Sequence, residues 1–185
     1  TLPTTIQIQP WKILSNPNYA TFNPQQIINA AITVKNYIDA NQKLPDTITI
    51  TDTKGITKNI NIPTFLYLLS QTLLQLQNND LNTPINSIPM NAPAVPQDTM
   101  TTGNMPINEY TNIATKIKNY FEVTGRSPEF ACDTSLGTLF GYQNMIYTFS
   151  NILQTYNTTK TLPTTIQIQP WKILSNPNYA TFNPQ

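Results

Sequence analysis

The sequence predicts an α+β fold built as two diverged helix–hairpin–helix–strand halves in each 160-residue period, with strands shared between successive periods. Three observations predict it. Residues Thr1 to Gln25 recur without change as Thr161 to Gln185, which sets the period from Thr1 to Thr161 at 160 residues. Segments with apolar residues at helical spacing alternate with short runs rich in β-branched residues. Within one period, Val34-Lys-Asn-Tyr-Ile and Ile117-Lys-Asn-Tyr-Phe match at an offset of 83 residues, and Tyr67-Leu-Leu-Ser and Tyr147-Thr-Phe-Ser match at an offset of 80. Identity over a stretch holding Trp, Tyr and several Pro residues makes the chain a window on a tandem array, and arrays build reach, valency or fibres.

The elements follow in order. Pro24, a favoured first-turn residue, opens a helix with Asn23 as its cap and Asn41 near its end, burying Ile27, Ala31, Val34 and Ile38 on one face. Leu44-Pro45 stops it. Asp46-Thr-Ile-Thr-Ile-Thr-Asp reads as a strand, Thr53-Lys54-Gly55 as a turn, and Ile56 to Ile62 as the returning strand of a hairpin. Pro63 to Asn78 forms a second helix through Leu66, Leu69, Leu73 and Leu76, and Pro84, Pro89, Pro93 and Pro96 keep the next stretch extended. From Pro106 the cycle restarts with a helix facing inward through Tyr110, Ala114, Ile117 and Phe121. A fourth helix, Tyr142 to Asn157, buries Met145, Phe149, Ile152 and Tyr156, and leads to a strand at Thr164 to Gln169.

This divides the chain into a seam segment at 1–21, a first half at 22–79, a Pro-rich connector at 80–105, a second half at 106–160, and the seam of the next period at 161–185. About 160 residues bury roughly 70% of the unfolded surface, so neither metal nor cross-links are needed to fold.

Charged residues are 10% of the chain, against about 25% in ordinary soluble domains, and polarity resides instead in Thr, Asn and Gln. A net charge of +1 without a basic run gives no footprint for nucleic acid. The longest apolar run, Phe65 to Leu69, falls far short of the ~20 residues of a membrane span. Histidine is absent, so Cys132, the single cysteine, has no imidazole to activate it and no Ser-His pair can form. These residues predict no enzyme, no cofactor and no Cys/His metal site. Asp39, Asp46, Asp52, Glu122, Glu129 and Asp133 gather near equivalent helix ends and read as caps and solvated carboxylates. Lys35 and Lys118, at matching positions, are expected on solvent faces.

Three features carry functional expectations. If Thr164 to Gln169 completes the sheet of the second half, its copy Thr4 to Gln9 completes the preceding period, and the chain carries two strands for one slot. Strand addition of this kind propagates head to tail, which predicts linear chains. The joint residues are Ile6, Ile8 and Trp11 with their copies Ile166, Ile168 and Trp171. The alternation of Ile6-Gln-Ile-Gln-Pro-Trp-Lys-Ile-Leu14 reads as a strand whose Trp packs on the next layer, with sugar stacking as the alternative. Asn157-Thr158-Thr159 matches the acceptor pattern for N-glycosylation at a predicted helix end.

The series Ala31, Val34, Tyr37, Ile38, Leu44, Pro45, Ile48, Ile50, then Phe65, Leu66, Leu69 and Leu73, resembles the pseudomurein-binding repeats of methanogen cell-surface proteins. Ser127-Pro-Glu-Phe-Ala-Cys-Asp-Thr-Ser135 and Tyr147-Thr-Phe-Ser-Asn-Ile-Leu153 look like the variant that accompanies them in adhesin-like proteins. The resemblance implies an exported, extracellular archaeal protein that touches a pseudomurein wall, and it assigns no ligand residues. The low charge, Pro-rich connectors and tandem identity point to a structural element of a fibre, stalk or sheath whose main partner is itself. A wall-binding module acting by avidity is the rival reading.

Overall fold

Asn23-Pro24 and Asn61-Ile-Pro63 place a capping side chain and an early proline at the start of two helices, and both begin there. The computed structural model describes residues 19–176. It is a mixed α+β structure in which the order strand, helix, hairpin, helix, strand occurs twice. The first series is β1 (Thr21–Phe22), α1 (Pro24–Asn41), β2 (Thr47–Thr51), β3 (Thr57–Asn61), α2 (Ile62–Gln77) and β4 (Ile85–Asn86). The second is β5 (Gly103–Pro106), α3 (Ile107–Thr124), β6 (Phe130–Thr134), β7 (Gly137–Gly141), α4 (Tyr142–Thr159) and β8 (Thr165–Ile168). A short helical turn, α5 (Trp171–Leu174), follows.

Pairing is antiparallel in each series, with β2 on β3 and β6 on β7 as hairpins. The outer strands close each series, β1 on β4 and β5 on β8. Phe22 faces Ile85 in one closure and Met105 faces Ile166 in the other. All four of these side chains are buried.

Helix α1 has a reciprocal cap: the Gln26 side chain accepts from the Asn23 amide at 2.8 Å while Asn23 caps the first turn. Its predicted face, Ile27, Ala31, Val34 and Ile38, is fully buried. The helix ends at Gln42 in the left-handed region, at φ 56°. In α2 the Asn61 side chain accepts from the Thr64 amide at 3.0 Å. Every residue from Ile62 to Ser70 is buried, because α2 packs on α1, α3 and α4 together. Helix α1 in turn packs mainly on α4, and α2 mainly on α3, so each half's helices lie against those of the other. One apolar cluster runs through both series, from Phe22 and Leu69 to Phe149 and Ile168.

The Pro-rich stretch is extended, as its prolines require, but it is also bonded along its length. Met90 donates its amide to Thr64 Oγ1 and accepts from the Asn61 side chain, both at 3.0 Å. The Asn91 amide reaches the Gly125 carbonyl at 3.1 Å, and the Ser127 amide the Asn91 carbonyl at 2.9 Å. Further on, the amides of Thr99 and Thr101 donate to the carbonyls of Leu139 and Leu136 at 2.9 and 2.7 Å, laying the strap along β7. The approach is close enough that a Cβ on Gly141 would sit 2.5 Å from the Gln97 carbonyl oxygen.

The hairpins and four long helices fall where their periodicities place them. The α4 helix runs two residues beyond the predicted Asn157. One segment differs. The alternation read as a strand through Trp is, in the copy at 166–174, a strand only to Ile168 and then the turn α5 beginning at Trp171. Pro170 is the physical reason, because it offers no amide to a ladder and its fixed φ suits the entry of a helical turn. The first copy, with Ile6, Ile8 and Trp11, lies outside the described residues.

Candidate functional site

The seam copy that is described, 161–176, docks in a groove made by β5, the first turns of α3 and α4, and the end of the strap. Ile166 is 7% and Ile168 0% exposed, while Thr165 and Gln167 between them face out. This is the period-two alternation of a strand with one buried face. Pro170 is buried and Trp171 half-buried against the core.

Polar groups then hold the segment at both ends. The Ile107 amide donates to the Thr164 carbonyl at 2.9 Å, and the Tyr110 hydroxyl to the Pro163 carbonyl at 2.7 Å. At the other end, Asn144 donates its side-chain amide to the Gln169 carbonyl at 2.9 Å. Asp98 is the hub: its carboxylate accepts from the Trp171 amide at 2.7 Å, the Gly141 amide at 3.0 Å and the Asn144 side chain at 3.2 Å. Bonds from a carboxylate to amides are among the stronger neutral-donor contacts. Asp98 ties strap, hairpin, helix and seam to one point.

A second constellation joins the halves. In α1, Lys35 pairs with Asp39 at 2.6 Å; in α3, at the matching offset of 83 residues, Lys118 pairs with Glu122 at 2.8 Å. Each acid also accepts from a tyrosine of the opposite series: Tyr147 of α4 donates to Asp39 at 2.9 Å, and Tyr67 of α2 to Glu122 at 3.1 Å. The arrangement is reciprocal. Lys35 also lies 5.5 Å from the centre of the Tyr147 ring, and Tyr67 meets Phe121 edge-on at 5.6 Å. The lysines therefore sit between helices, not on open solvent faces as expected, because the other half's tyrosines cover them.

Burial raises the pKa of Tyr67, Tyr110, Tyr142 and Tyr147 above the ordinary tyrosine value. For Tyr67 and Tyr147 the neighbouring carboxylates add to the rise, while Gln71 opposes it at Tyr67. A group whose folded pKa is raised contributes stability that is complete below its unfolded value, near 10 for tyrosine, and lost as pH climbs beyond it. Urea unfolding is thus expected to give a midpoint unchanged from pH 7 to about 9.5 and a decline above about 10, less steep in Tyr147→Phe. A flat profile to pH 11 overturns this.

The remaining candidates are placed as follows. Asn157 is half-buried in the last turns of α4, and its Oδ1 accepts from Gln25 at 3.1 Å, so it is less open than a free helix end. Asp52 is buried and accepts from the amides of Lys54 and Ile56 at 2.9 and 2.8 Å, fixing the first hairpin turn instead of standing in solvent. Glu129 accepts from the Val95 amide at 3.2 Å. Asp46 is exposed. No group of three or more Cys, Asp or Glu side chains that could hold a metal ion occurs among the described residues. Between α3 and β6 lies an open, mainly apolar hollow of about 270 Å³, lined by Ile117, Tyr120, Phe130 and the exposed Cys132, with Lys116 and Glu129 at its edge. The corresponding hollow between α1 and β2 is polar, lined by Gln26, Asn29, Thr33, Thr49 and Thr51.

Among the described residues no helix is long and apolar enough to cross a membrane. No protein-family model matches the chain, and no curated protein matches it.

Proposed function

We propose that the chain is one period of an exported archaeal tandem-repeat protein that forms an extracellular fibre, stalk or sheath, with successive periods linked head to tail by strand complementation. Its role is mechanical and non-catalytic. The observation that carries this reading is the recurrence of Thr1 to Gln25 at the other end of the chain, taken with the place of that sequence in the fold. Thr165–Ile168 pairs with Gly103–Pro106, so a segment that also begins the chain serves as the closing strand of the second series. In an array, the closing strand of one unit runs directly into β1 of the next. On this reading each period is a pair of fused, diverged halves, and the reciprocal Lys–acid–Tyr contacts hold the pair together.

Export, an archaeal source and the cell surface rest on the resemblance to pseudomurein-binding repeats and on the sparse charge. Electron microscopy of the native surface, with antibody raised to this period, is the test. Labelled filaments with an axial spacing that scales with the 160-residue period are expected. Label spread over isolated pseudomurein sacculi, retained by them in a pull-down and without filaments, overturns the fibre reading in favour of a wall anchor.

A further inference from the structure

We infer that successive repeats are joined by only two residues, Pro177 and Asn178, and stand in direct contact, so that an array of this chain is a stiff rod with a fixed unit-to-unit angle. The inference rests on the tandem reading above and concerns the joint that reading leaves open.

The C-terminal end of a unit is bonded through Asn176. After α5, the Ser175 amide and hydroxyl both reach the Trp171 carbonyl, at 2.8 and 2.7 Å, and the Asn176 amide reaches the Ile173 carbonyl at 3.4 Å. The other end begins at Tyr19, which packs on the core with Ala20; the Ala20 carbonyl accepts from the Ser87 amide at 2.8 Å, and Thr21 pairs with Asn86. Since Tyr19 to Phe22 is the same sequence as Tyr179 to Phe182, the next unit's first packed residue lies three positions after Asn176.

Three residue steps span at most about 11 Å. A folded unit of this length has a radius of gyration of about 15 Å, hence a diameter near 40 Å. The tether is about a quarter of a unit's width, too short to let neighbours separate or tumble. Proline fixes its own φ and restricts the residue before it, which stiffens the step further. The surfaces brought together are the α5 turn, where Ile173 and Leu174 are half-buried, and the Tyr19–Thr21 end beside β4. The occupant of the α5 face is the next copy of this chain, fixed there by covalent length.

The period supplies its own reporter, because it has one cysteine and Cys132 is exposed. The full chain is lengthened by one further period and spin-labelled at both copies of Cys132, and the inter-label distance distribution is recorded by pulsed electron resonance. A matched version carries about eight Gly/Ser residues after Asn176, enough for coil behaviour. The native joint is expected to give one distance, with a distribution roughly threefold narrower than the inserted version. Equal breadth in the two overturns the rod. The outcome is separate from the array itself: a native surface without axial repeat sinks the tandem reading whatever the two-unit distances show.

Discussion

Shortening the chain to residues 1–160 is expected to convert it from a closed monomer to linear head-to-tail chains. The deletion removes β8, so the main-chain groups of Gly103 to Pro106 and the site of Ile166 and Ile168 are left vacant, while Thr1 to Asn16 still carries the same residues. Two buried isoleucines contribute about 1.5–3 kcal/mol each, and each net hydrogen bond adds about 1 kcal/mol. Set against the cost of association, this puts the joint in the micromolar range, about −8 kcal/mol. In the full chain the C-terminal copy follows α4 by a few residues, so its effective concentration lies in the millimolar range and it outcompetes a visiting copy. Linear chains of the full-length chain, the expectation from two strands and one slot, are therefore suppressed by its own tail. Light scattering across a concentration series is the measurement. Mass that rises with concentration for 1–160, and falls back when a synthetic peptide of residues 161–176 is added in excess, is the expected result. A 1–160 chain of constant monomeric mass overturns it.

The second large effect is expected at Asp98. Asp98→Ala strips the acceptor from the Trp171 and Gly141 amides and from one bond of Asn144, which is fully buried. Donors left unpaired cost about 1–3 kcal/mol each where buried, and the partial exposure of Asp98 places the sum near 2–4 kcal/mol. Release of the seam segment is the cheapest response, since only it can leave the groove without breaking a helix. Hydrogen exchange at 164–171 is expected to accelerate by about a hundredfold, equivalent to about 2.8 kcal/mol, while β2 and β3 keep their protection. Asp98→Asn, which retains one acceptor oxygen, recovers part of the effect. Unaltered exchange at 164–171 in Asp98→Ala overturns the assignment of Asp98 as the hub.

Local physics made much of this legible. Asn23-Pro24 and Asn61 announce helix starts through capping, and the 3,4 spacing of Ile27, Ala31, Val34 and Ile38 identifies a face the fold does bury. Thr47–Thr51 alternates in burial as its β-branched pattern requires. What escaped depends on partners distant in sequence. Asp98 sits in a stretch dominated by proline, and its partners lie 43, 46 and 73 residues away, so no periodicity marks it. Trp171 was misread because alternation of apolar side chains continues past Pro170, whereas the backbone cannot. The acids Asp39 and Glu122 did leave a trace: each follows a lysine by four residues at the shared offset of 83, a spacing that pairs side chains on a helix. That Tyr147 and Tyr67 arrive crosswise to cover them follows only from the packing of α1 on α4 and α2 on α3.

The position of the seam also decides how such a rod yields under load. Tension along the array enters a unit at Tyr19–Phe22 and leaves through Asn176, so the bonds nearest the exit, Trp171 to Asp98 and Gln169 to Asn144, bear it first. They peel one after another from the Ile168 end of β8, ahead of the interlocked helices. Each unit then pays out a slack of about sixteen residues, on the order of 55 Å when extended, and takes it up again when the pull relaxes. The groove that sets the connection in a resting fibre thus doubles as its shock absorber.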